Sequence, residues 1–297
     1  MEVAGSVAGP RQFLDTKRSE LAALKFERIR LKPLSPTIGV EIQGVDLREP
    51  LDDATFSELE RALHAFKVIF FRDQAISVQQ QLEFAERFGE LEEHPFLPSK
   101  DGHGEVIRFE KDEKVVGVEN IWHSDVSWRE VPSLGSILHA IEVPEVGGDT
   151  LWADMEAAYY GLPEALREQI DGAVAVHDFS HSFGQMLNEE QLAEKQKEFP
   201  AVAHPVVRTH ATTGRKSLYV NAIFTSHIVG LEREASDELL ALLCRQASYP
   251  EYQCRFRWEK DSIAFWDNRQ CQHYATSDYW PMRRVMERVT VIGERPV

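Results

Sequence analysis

Apolar and polar residues alternate between positions 29 and 47, and Pro and Gly interrupt the alternation. This pattern predicts two short strands joined by a turn. Apolar residues then recur at spacings of 3, 4 and 3, which predicts a helix that Asp52 or Asp53 can cap. The four residues are Phe56, Leu59, Leu63 and Phe66. Residues 68–71 predict a short buried strand, and Ser77 can cap a second helix after it.

Short strand patterns dominate the chain after residue 130, and two helical stretches interrupt them. The predicted strands are residues 136–142, 174–179, 205–209, 217–221, 253–258, 262–266 and 285–292, and the predicted helices are 157–171 and 232–247. Many short strands with a few outer helices favour a mainly β protein built as a double-sheet jelly roll. Residues 184–200 are rich in Gln, Glu and Lys, and this segment is long enough to form a mobile lid.

The chain shows no linker after its first residues, so residues 27–297 are predicted to form one domain. Residues 1–26 are expected to be a loosely attached extension. Within it, Leu14, Leu21 and Leu24 could lie together on one short helix.

Composition narrows the class of protein. Of the 297 residues, 43% are hydrophobic and 28% are charged, as in a typical soluble globular domain. The net charge of −16 opposes binding to nucleic acid, but it is compatible with a small anion held by a few arginines. The apolar stretches are far shorter than the ~20 residues that span a bilayer. The N-terminus has no apolar signal region, and the three Cys have no CxxC spacing. We therefore expect a cytoplasmic protein with neither a membrane nor a nucleic-acid partner, while the oligomeric state, including a homo-oligomer, stays open.

One H-x-D triplet, His123-Ser124-Asp125, is a candidate metal-binding motif. On a strand, residues i and i+2 point to the same side, so both side chains could face one ion. Two His and one carboxylate form the facial triad of non-haem Fe(II) oxygenases, which leaves coordination positions open. His103 and Glu105 form a competing H-x-E pair in a glycine-bearing loop, but the strand-like apolar residues around His123 favour the first pair.

A third metal ligand should come from a His far along the chain, and His273 is the best candidate. Arg284 and Arg288 follow it, four positions apart on the predicted last strand, so both should point to the same side. Two guanidinium groups inside a barrel are costly unless they meet anions. These anions could be the distal carboxylate of a bound keto acid and the acidic group of a substrate, or protein carboxylates such as that of Glu287. Zinc hydrolysis could use the same three ligand types, so the triad alone leaves the chemistry open.

Several motifs together resemble one known family. They are WHSDVSW, GGDTLW, HPVVRTH, LYVN, WDNR and QHYATSDYWPMRR, preceded by GVEIQGVDLREPL and VIFFRDQ. Their order and spacing are similar to those of the taurine dioxygenase/2,4-dichlorophenoxyacetate dioxygenase family, and the resemblance covers residues 26–296. It implies a double-stranded β-helix, which is a cupin-like jelly roll. It also implies a dioxygenase of the EC 1.14.11 type that uses Fe(II), 2-oxoglutarate and O₂.

The resemblance implies roles for individual residues around the metal. By position, the iron ligands would be His123, Asp125 and His273. Thr150 and Arg284 would bind the carboxylate of 2-oxoglutarate that lies far from the metal. Because the carboxylate at position 125 is present, a halogenating activity is not favoured.

On the substrate side, the resemblance implies that Arg288 meets the acidic group of the substrate. His94 would face the substrate, and Phe183 and Phe224 would line the pocket, although core packing explains either Phe equally well.

Two departures from the family pattern concern the substrate. Leu97 replaces a Tyr of the taurine enzymes, and Glu119 replaces an Asn, which puts taurine itself in doubt. If Glu119 faced the pocket, its carboxylate would need a cation. With Arg288 opposite, a suitable ligand would be a small zwitterion such as an amino acid or an aminosulfonate. The alternative is that Glu119 is a solvated loop residue.

The expected reaction is oxidation of an aliphatic C–H bond of a small anionic substrate, with succinate and CO₂ as co-products. Hydroxylation is the default result, and the product can fragment if the carbon bears sulfur, oxygen or nitrogen. Desaturation or ring closure of an amino acid in secondary metabolism is an alternative outcome. Two rival functions stay open at this point, namely a metal-dependent hydrolase at the same triad and a non-catalytic 2-oxoglutarate sensor.

Overall fold

The computed structural model describes residues 8–117 and 119–297, and side chains from residue 13 onward within these ranges. The helices are α1 (Ala8–Ala23), α2 (Asp53–Phe66), α3 (Val78–Glu86), α4 (Met155–Tyr160), α5 (Glu164–Ile170), α6 (Glu189–Glu198) and α7 (Arg233–Cys244). The first eight strands are β1 (Arg30–Pro33), β2 (Val40–Gln43), β3 (Val68–Phe71), β4 (Ser99–Lys100), β5 (His103–Lys111), β6 (Ser133–Glu142), β7 (Thr150–Asp154) and β8 (Val174–His177). The other eight are β9 (Val202–Pro205), β10 (Val207–Thr209), β11 (Lys216–Leu218), β12 (Thr225–Ile228), β13 (Gln253–Phe256), β14 (Ile263–Asp267), β15 (Cys271–Ala275) and β16 (Arg284–Ile292).

Half of these strands belong to one sheet with the order β1-β2-β3-β14-β6-β16-β5-β4. Its neighbours are antiparallel except for β2 and β3. Smaller sheets have the orders β13-β7-β15, β12-β8-β9 and β10-β11. Layered antiparallel sheets of this kind confirm the predicted jelly roll.

Aromatic side chains fill the space between the large sheet and the β13-β7-β15 sheet. Phe70 of β3 packs against Trp152 of β7 with ring centroids 5.2 Å apart. Trp152 in turn lies 5.7 Å from Trp266 of β14. All three side chains are almost completely buried. Since β15 pairs with β7 so that His273 lies opposite Trp152, this core fixes the position of the strand that carries His273.

Local sequence signals explain where the early helices begin. Asp52 accepts a hydrogen bond from the backbone N–H of Thr55 and caps α2. Ser77 and Gln80 form a reciprocal capping box at the start of α3. Both helices, and the strand predicted over residues 68–71, are confirmed.

The helix predicted over residues 157–171 is two helices in the structure. It begins earlier than expected because Asp154 accepts a hydrogen bond from Ala157 N and caps α4. It is interrupted after Tyr160 because Pro163, which lacks a backbone N–H, begins a new helix instead of continuing the old one.

Several strands are absent from the sequence-based prediction, among them β5, β7, β12 and β15. Strand β5 includes the His103–Glu105 stretch, which we expected to be a loop. Strands β7 and β15 have five residues each, and their pairing partners lie far away in the chain. Tertiary pairing, which a local pattern does not report, therefore defines these strands.

The described part of the N-terminal segment is docked onto the domain, so the expectation of a loose attachment is wrong for it. Lys17 of α1 is 3% exposed, and its Nζ lies 3.1 Å from Glu156 Oε2. Phe13 stacks on Tyr160 with ring centroids 5.0 Å apart. The boundary between residues 26 and 27 stays a prediction.

Within the described ranges, helices that combine the length and apolar character needed to cross a membrane are absent.

Candidate metal centre and anion sites

The structure brings His123, Asp125 and His273 together. Their possible ligand atoms all lie within 4.8 Å of one another. The two His residues form an antiparallel backbone bridge, with N–H···O distances of 3.1 and 2.8 Å. The Nε2 atoms of both His lie 3.9 Å from Asp125 Oδ1. Two imidazoles and one carboxylate oxygen therefore converge on one point.

The H-x-D triplet does not lie on a regular strand, so that part of the sequence argument is wrong. His123 forms a single bridge with His273, and the chain then turns at Asp125. Val126 has a φ of 46°, a left-handed conformation that is uncommon for a β-branched residue. The turn, and not the period of a strand, aims the carboxylate toward both imidazoles.

Charge and hydrogen bonding prepare these side chains to bind a cation. His123 Nδ1 lies 2.8 Å from the Ile121 carbonyl, which can only accept a hydrogen bond, so Nδ1 carries the proton and Nε2 keeps its lone pair. Burial lowers the pKa of both His residues, that of His273 to about 3. Burial opposes ionisation of Asp125, but Arg288 and the two His residues hold its pKa well below the usual range. The donor set at neutral pH is thus two neutral imidazoles and one carboxylate.

A second group of possible ligands consists of His64, His210 and Asp267. Its carboxylate is already engaged, because Arg269 Nε and Nη2 each donate to Asp267 over 2.8 Å. His210 Nε2 lies 3.1 Å from the same carboxylate. Thr213 N donates to His210 Nδ1 over 3.1 Å, so His210 carries its proton on Nε2 and donates it to Asp267. This imidazole has no lone pair left for a metal, which makes the first group the better metal site. His103 and Glu105 belong to neither of the groups found among the described residues.

Arg284 is a buried cation with unsatisfied donors. Its Nε and Nη2 have no hydrogen-bond partner, and the side chain is 7% exposed. Tyr279 stacks near it, with the guanidinium carbon 5.7 Å from the ring centroid. Burial lowers the pKa of Arg284. Buried guanidinium donors without partners are costly unless an anion completes them.

Glycine makes room for this guanidinium. A Cβ at Gly148 would lie 3.2 Å from Arg284 Cδ, and Gly148 has a φ of 70°. Two residues further on, Thr150 Oγ1 accepts a hydrogen bond of 3.0 Å from Trp258 Nε1. An indole can only donate, so the hydroxyl proton of Thr150 is left to donate to another group.

Arg288 lies on the same face of β16 as Arg284, as the sequence predicts, but it has a protein partner. Its Nη1 lies 2.7 Å from Asp125 Oδ1. The sequence left open whether Arg288 pairs with a protein carboxylate, and in the structure it does. The carboxylate is that of Asp125 and not that of Glu287. Glu287 points to the opposite face, where it binds Lys100 and Arg108 at 2.7 Å each. Arg288 Nε is buried and lacks a hydrogen-bond partner.

His94 presents a neutral N–H group near the triad. Its Nδ1 accepts hydrogen bonds from the backbone of Phe96 and Leu97 at 3.2 and 3.1 Å, which places the proton on Nε2. Burial, followed by the charges of Arg288 and Arg129, lowers the pKa of His94 to about 3. The side chain is therefore an uncharged donor at neutral pH.

Aromatic rings join His94 to the metal centre. The Phe183 ring centroid lies 5.2 Å from that of His94 and 6.1 Å from that of Phe224. Phe224 lies 6.4 Å from the His123 ring. Of the two Phe residues predicted from the resemblance, Phe224 thus lies beside the triad and Phe183 lies between Phe224 and His94. Both also pack in a cluster with Val126 and other apolar side chains.

Glu119 lies at the edge of this region. Its carboxylate forms an ion pair of 2.8 Å with Lys111, and its side chain is 36% exposed. A protein cation therefore already compensates Glu119, and a substrate ammonium group is not required for that purpose.

Sequence reasoning missed Ser136 and Asn268, which contact Asp125. Ser136 donates to Asp125 Oδ2 over 2.7 Å, and Asn268 Oδ1 accepts from Asp125 N over 3.2 Å. Asn268 is part of the WDNR motif, but its spacing carries no information about a partner 143 residues earlier.

Comparisons with known proteins agree with this geometry. The family described as "Taurine catabolism dioxygenase TauD, TfdA family" matches residues 30–290. An alkylsulfatase of Acinetobacter baylyi is 37% identical over 276 residues, covering 90% of this chain and 86% of the relative. An alpha-ketoglutarate-dependent sulfate ester dioxygenase of Pseudomonas putida is 38% identical over 273 residues, covering 89% and 90%. A crystal structure of a taurine dioxygenase from Burkholderia xenovorans superposes with a TM-score of 0.80 at 36% identity, covering 91% of this chain and 93% of the other.

The chain belongs to the TauD/TfdA family. It is an Fe(II)- and 2-oxoglutarate-dependent dioxygenase, with O₂ as the second co-substrate. The resemblance found in the motifs, the fold and the enzyme class are thereby confirmed, and the hydrolase and sensor alternatives are not supported.

Proposed function

We propose that His123, Asp125 and His273 hold the Fe(II) ion, and that Arg284 and Thr150 hold the distal carboxylate of 2-oxoglutarate. Two neutral imidazoles and one carboxylate suit Fe(II) and leave positions open for other ligands. The unsatisfied Arg284 donors suit a carboxylate held in two-point contact. With 2-oxoglutarate and O₂, the bound iron supplies the oxidant for a substrate C–H bond, and succinate and CO₂ are the co-products.

We further propose that the substrate is a small organic monoanion, with a sulfate monoester as the preferred class and a sulfonate as the next. The two relatives described above support this class through their names, alkylsulfatase and sulfate ester dioxygenase, at 37% and 38% identity.

The observation that carries this proposal is the pair of donors beside the triad. Arg288 has an unsatisfied buried Nε, and His94 offers a neutral Nε2–H. Burial, followed by the charge of Arg288, lowers the pKa of His94 and keeps its imidazole neutral. Arg288 keeps an unsatisfied Nε–H beside its ion pair with Asp125, and together with the neutral donor of His94 it suits a single-charged group with several acceptor oxygens.

The position of the oxidised carbon decides the product. Hydroxylation of the carbon that carries the ester oxygen gives an unstable product. Its new hydroxyl loses a proton, a C=O bond forms, and the C–O bond to sulfate breaks, which yields an aldehyde and sulfate. Phe183 and Phe224 would exclude water from this carbon and guide an apolar tail. Hydroxylation without cleavage is expected at a carbon without such a leaving group.

A matched substrate panel tests the proposal. Succinate formation should be coupled to an alkyl sulfate and not to the corresponding alcohol. The Arg288→Ala variant should raise the KM for the sulfate at least about tenfold, because a buried charged contact contributes roughly 2–5 kcal/mol. The KM for 2-oxoglutarate should rise less than the KM for the sulfate, since Arg284 remains, and Fe(II) binding is measured in parallel because Arg288 also contacts Asp125. The exposed Arg283, which pairs with Glu110 and Glu142, provides the control variant Arg283→Ala. Equal turnover of sulfate and alcohol would contradict an anionic substrate.

The same panel addresses Glu119. Alkyl sulfates or sulfonates with and without an amino group should be used equally, because Lys111 already compensates this carboxylate. A preference for the amine that disappears in Glu119→Gln would restore the zwitterionic substrate that the sequence suggests.

The segment 184–200 is expected to move with substrate binding. It forms a 3₁₀ turn and helix α6, and α6 has no buried residue. Leu192 packs on the aromatic cluster, and Lys195 Nζ lies 5.7 Å from the Phe96 ring centroid. Weakly buried segments open readily. Amide hydrogen exchange in α6 should be fast in the free protein and slower with 2-oxoglutarate and substrate, while exchange in the buried strand β14 stays unchanged. Equal protection of α6 in both states would show a fixed surface segment.

We also propose that the enzyme acts in the cytoplasm on a freely diffusing substrate, with neither nucleic acid nor membrane as a partner. The net charge of −16 supports the exclusion of nucleic acid.

A further inference from the structure

The two oxygens of Asp125 have different environments. Oδ1 lies 3.9 Å from each imidazole Nε2 of His123 and His273, and 2.7 Å from Arg288 Nη1. Oδ2 points away from them and accepts a hydrogen bond of 2.7 Å from Ser136 Oγ. The protein therefore holds both oxygens of the carboxylate, but Oδ1 is the one that also faces the two imidazoles.

A series of hydrogen bonds with a fixed direction holds Oδ2 of Asp125. Trp266 Nε1, which can only donate, lies 2.9 Å from Asn268 Oδ1. The Asn268 amide group must then direct Nδ2 the other way, where it donates to Ser136 Oγ over 3.1 Å. Because Ser136 Oγ accepts from Asn268, its own proton is left for Asp125 Oδ2.

The Asn268 amide group also fixes the backbone of Asp125. Asp125 N donates to Asn268 Oδ1 over 3.2 Å, and Asn268 Nδ2 lies 3.5 Å from Asp125 Oδ2. Ser136 lies on β6, opposite Trp266 of β14 and Thr290 of β16, in the middle of the large sheet. All members of the series are buried, so water does not compete for these donors.

We propose that Ser136 and Asn268 are positioning residues that make Asp125 a one-oxygen ligand. With Ser136 holding Oδ2 on the side away from the imidazoles, Oδ1 is the oxygen that would bind the metal through its remaining lone pair, so one further coordination position would stay open for 2-oxoglutarate or O₂. Ligand orientation by outer hydrogen bonds is a general feature of metal sites. The inference rests on the proposed role of Asp125 as an iron ligand.

Removal of the Ser136 hydroxyl should change the coordination and not only the stability. In Ser136→Ala, the nearest remaining donor to Oδ2 is Asn268 Nδ2 at 3.5 Å, which is at the limit of a hydrogen bond. The carboxylate can then rotate and bind through both oxygens. We expect 2-oxoglutarate to bind the metal-loaded variant at least about tenfold more weakly, while the metal itself is retained.

Co(II) titration under anaerobic conditions tests this inference on the whole protein. The intensity of the visible Co(II) bands reports the coordination number, and 2-oxoglutarate affinity is measured on the same samples. Ser133→Ala is the matched control, because Ser133 Oγ accepts from Asn268 Nδ2 over 2.9 Å and lies 3.4 Å from the backbone carbonyl of Asp125, but does not touch its carboxylate. Ser136→Ala should alter the Co(II) bands and weaken the binding of 2-oxoglutarate, whereas Ser133→Ala should resemble the wild type in both measurements. Ser136→Cys keeps the side-chain volume with a much weaker donor, and it should behave like Ser136→Ala.

Wild-type spectra and 2-oxoglutarate affinity in both Ser136 variants would overturn the inference. Equal changes in Ser133→Ala and Ser136→Ala would also overturn it, because a general packing defect would then explain both. Failure of the proposed function has a different signature, since Asp125→Ala would then leave Co(II) binding unchanged.

Discussion

Replacement of His273 by Ala is expected to abolish both Fe(II) binding and succinate formation. The side chain supplies one of three converging donors, and its Nε2 lies 3.9 Å from Asp125 Oδ1. Two remaining ligands hold a labile divalent ion poorly. The same loss is expected for His123→Ala. Fe(II) binding by equilibrium titration and succinate by direct product analysis measure the two effects separately.

A half-buried His outside the site gives the control for this loss. His64 belongs to the second group with His210 and Asp267, where Arg269 already occupies the carboxylate. His64→Ala should therefore retain Fe(II) and activity. Full activity in both His123→Ala and His273→Ala would contradict the proposed site and would return attention to His103 and Glu105.

Replacement of Arg284 by Ala is the second large effect that we expect. The guanidinium is buried with two unsatisfied N–H groups, and removal of its charge leaves the distal carboxylate without a partner. This should cost roughly 2–5 kcal/mol and raise the 2-oxoglutarate requirement by about tenfold or more. The KM for 2-oxoglutarate, measured at saturating substrate, gives the result.

Comparison with Arg288→Ala separates the two arginines. The buried, unsatisfied Nε of Arg288 is the donor proposed for the substrate anion, so Arg288→Ala should affect the substrate more than 2-oxoglutarate. Arg284→Lys keeps a charge but loses two-point contact, so it should lie between the wild type and Arg284→Ala. An unchanged 2-oxoglutarate requirement in Arg284→Ala would rule out its role as the carboxylate anchor.

Local patterns were enough to predict part of this site. The H-x-D triplet drew attention to His123 and Asp125, and the period of a strand placed Arg284 and Arg288 on one face of β16. His273 was the best candidate for a third ligand on its position in the chain, and the family that the motif order indicated added the role of Thr150. The reasoning about the triplet was wrong in one respect, since a turn at Asp125, and not a strand, aims the carboxylate.

Contacts between distant segments could not be predicted in this way. Arg288 and Asp125 are 163 positions apart, so the sequence did not show which arginine has a protein partner. Lys17 lies in the segment that we expected to be a loosely attached extension, but it is buried against Glu156 of α4. In both cases the decisive quantity is burial, which depends on how the sheets and helices pack.

The central claim is that His123, Asp125, His273 and Arg284 form one site for Fe(II) and 2-oxoglutarate. Anaerobic titration of 2-oxoglutarate into the Fe(II)-loaded protein, followed by the visible charge-transfer band of the chelate, tests it most directly. The account predicts that the wild type saturates at one equivalent of 2-oxoglutarate per chain and that His273→Ala shows no band. Arg284→Ala should saturate only at a higher 2-oxoglutarate concentration. A wild-type band and affinity in His273→Ala would contradict it.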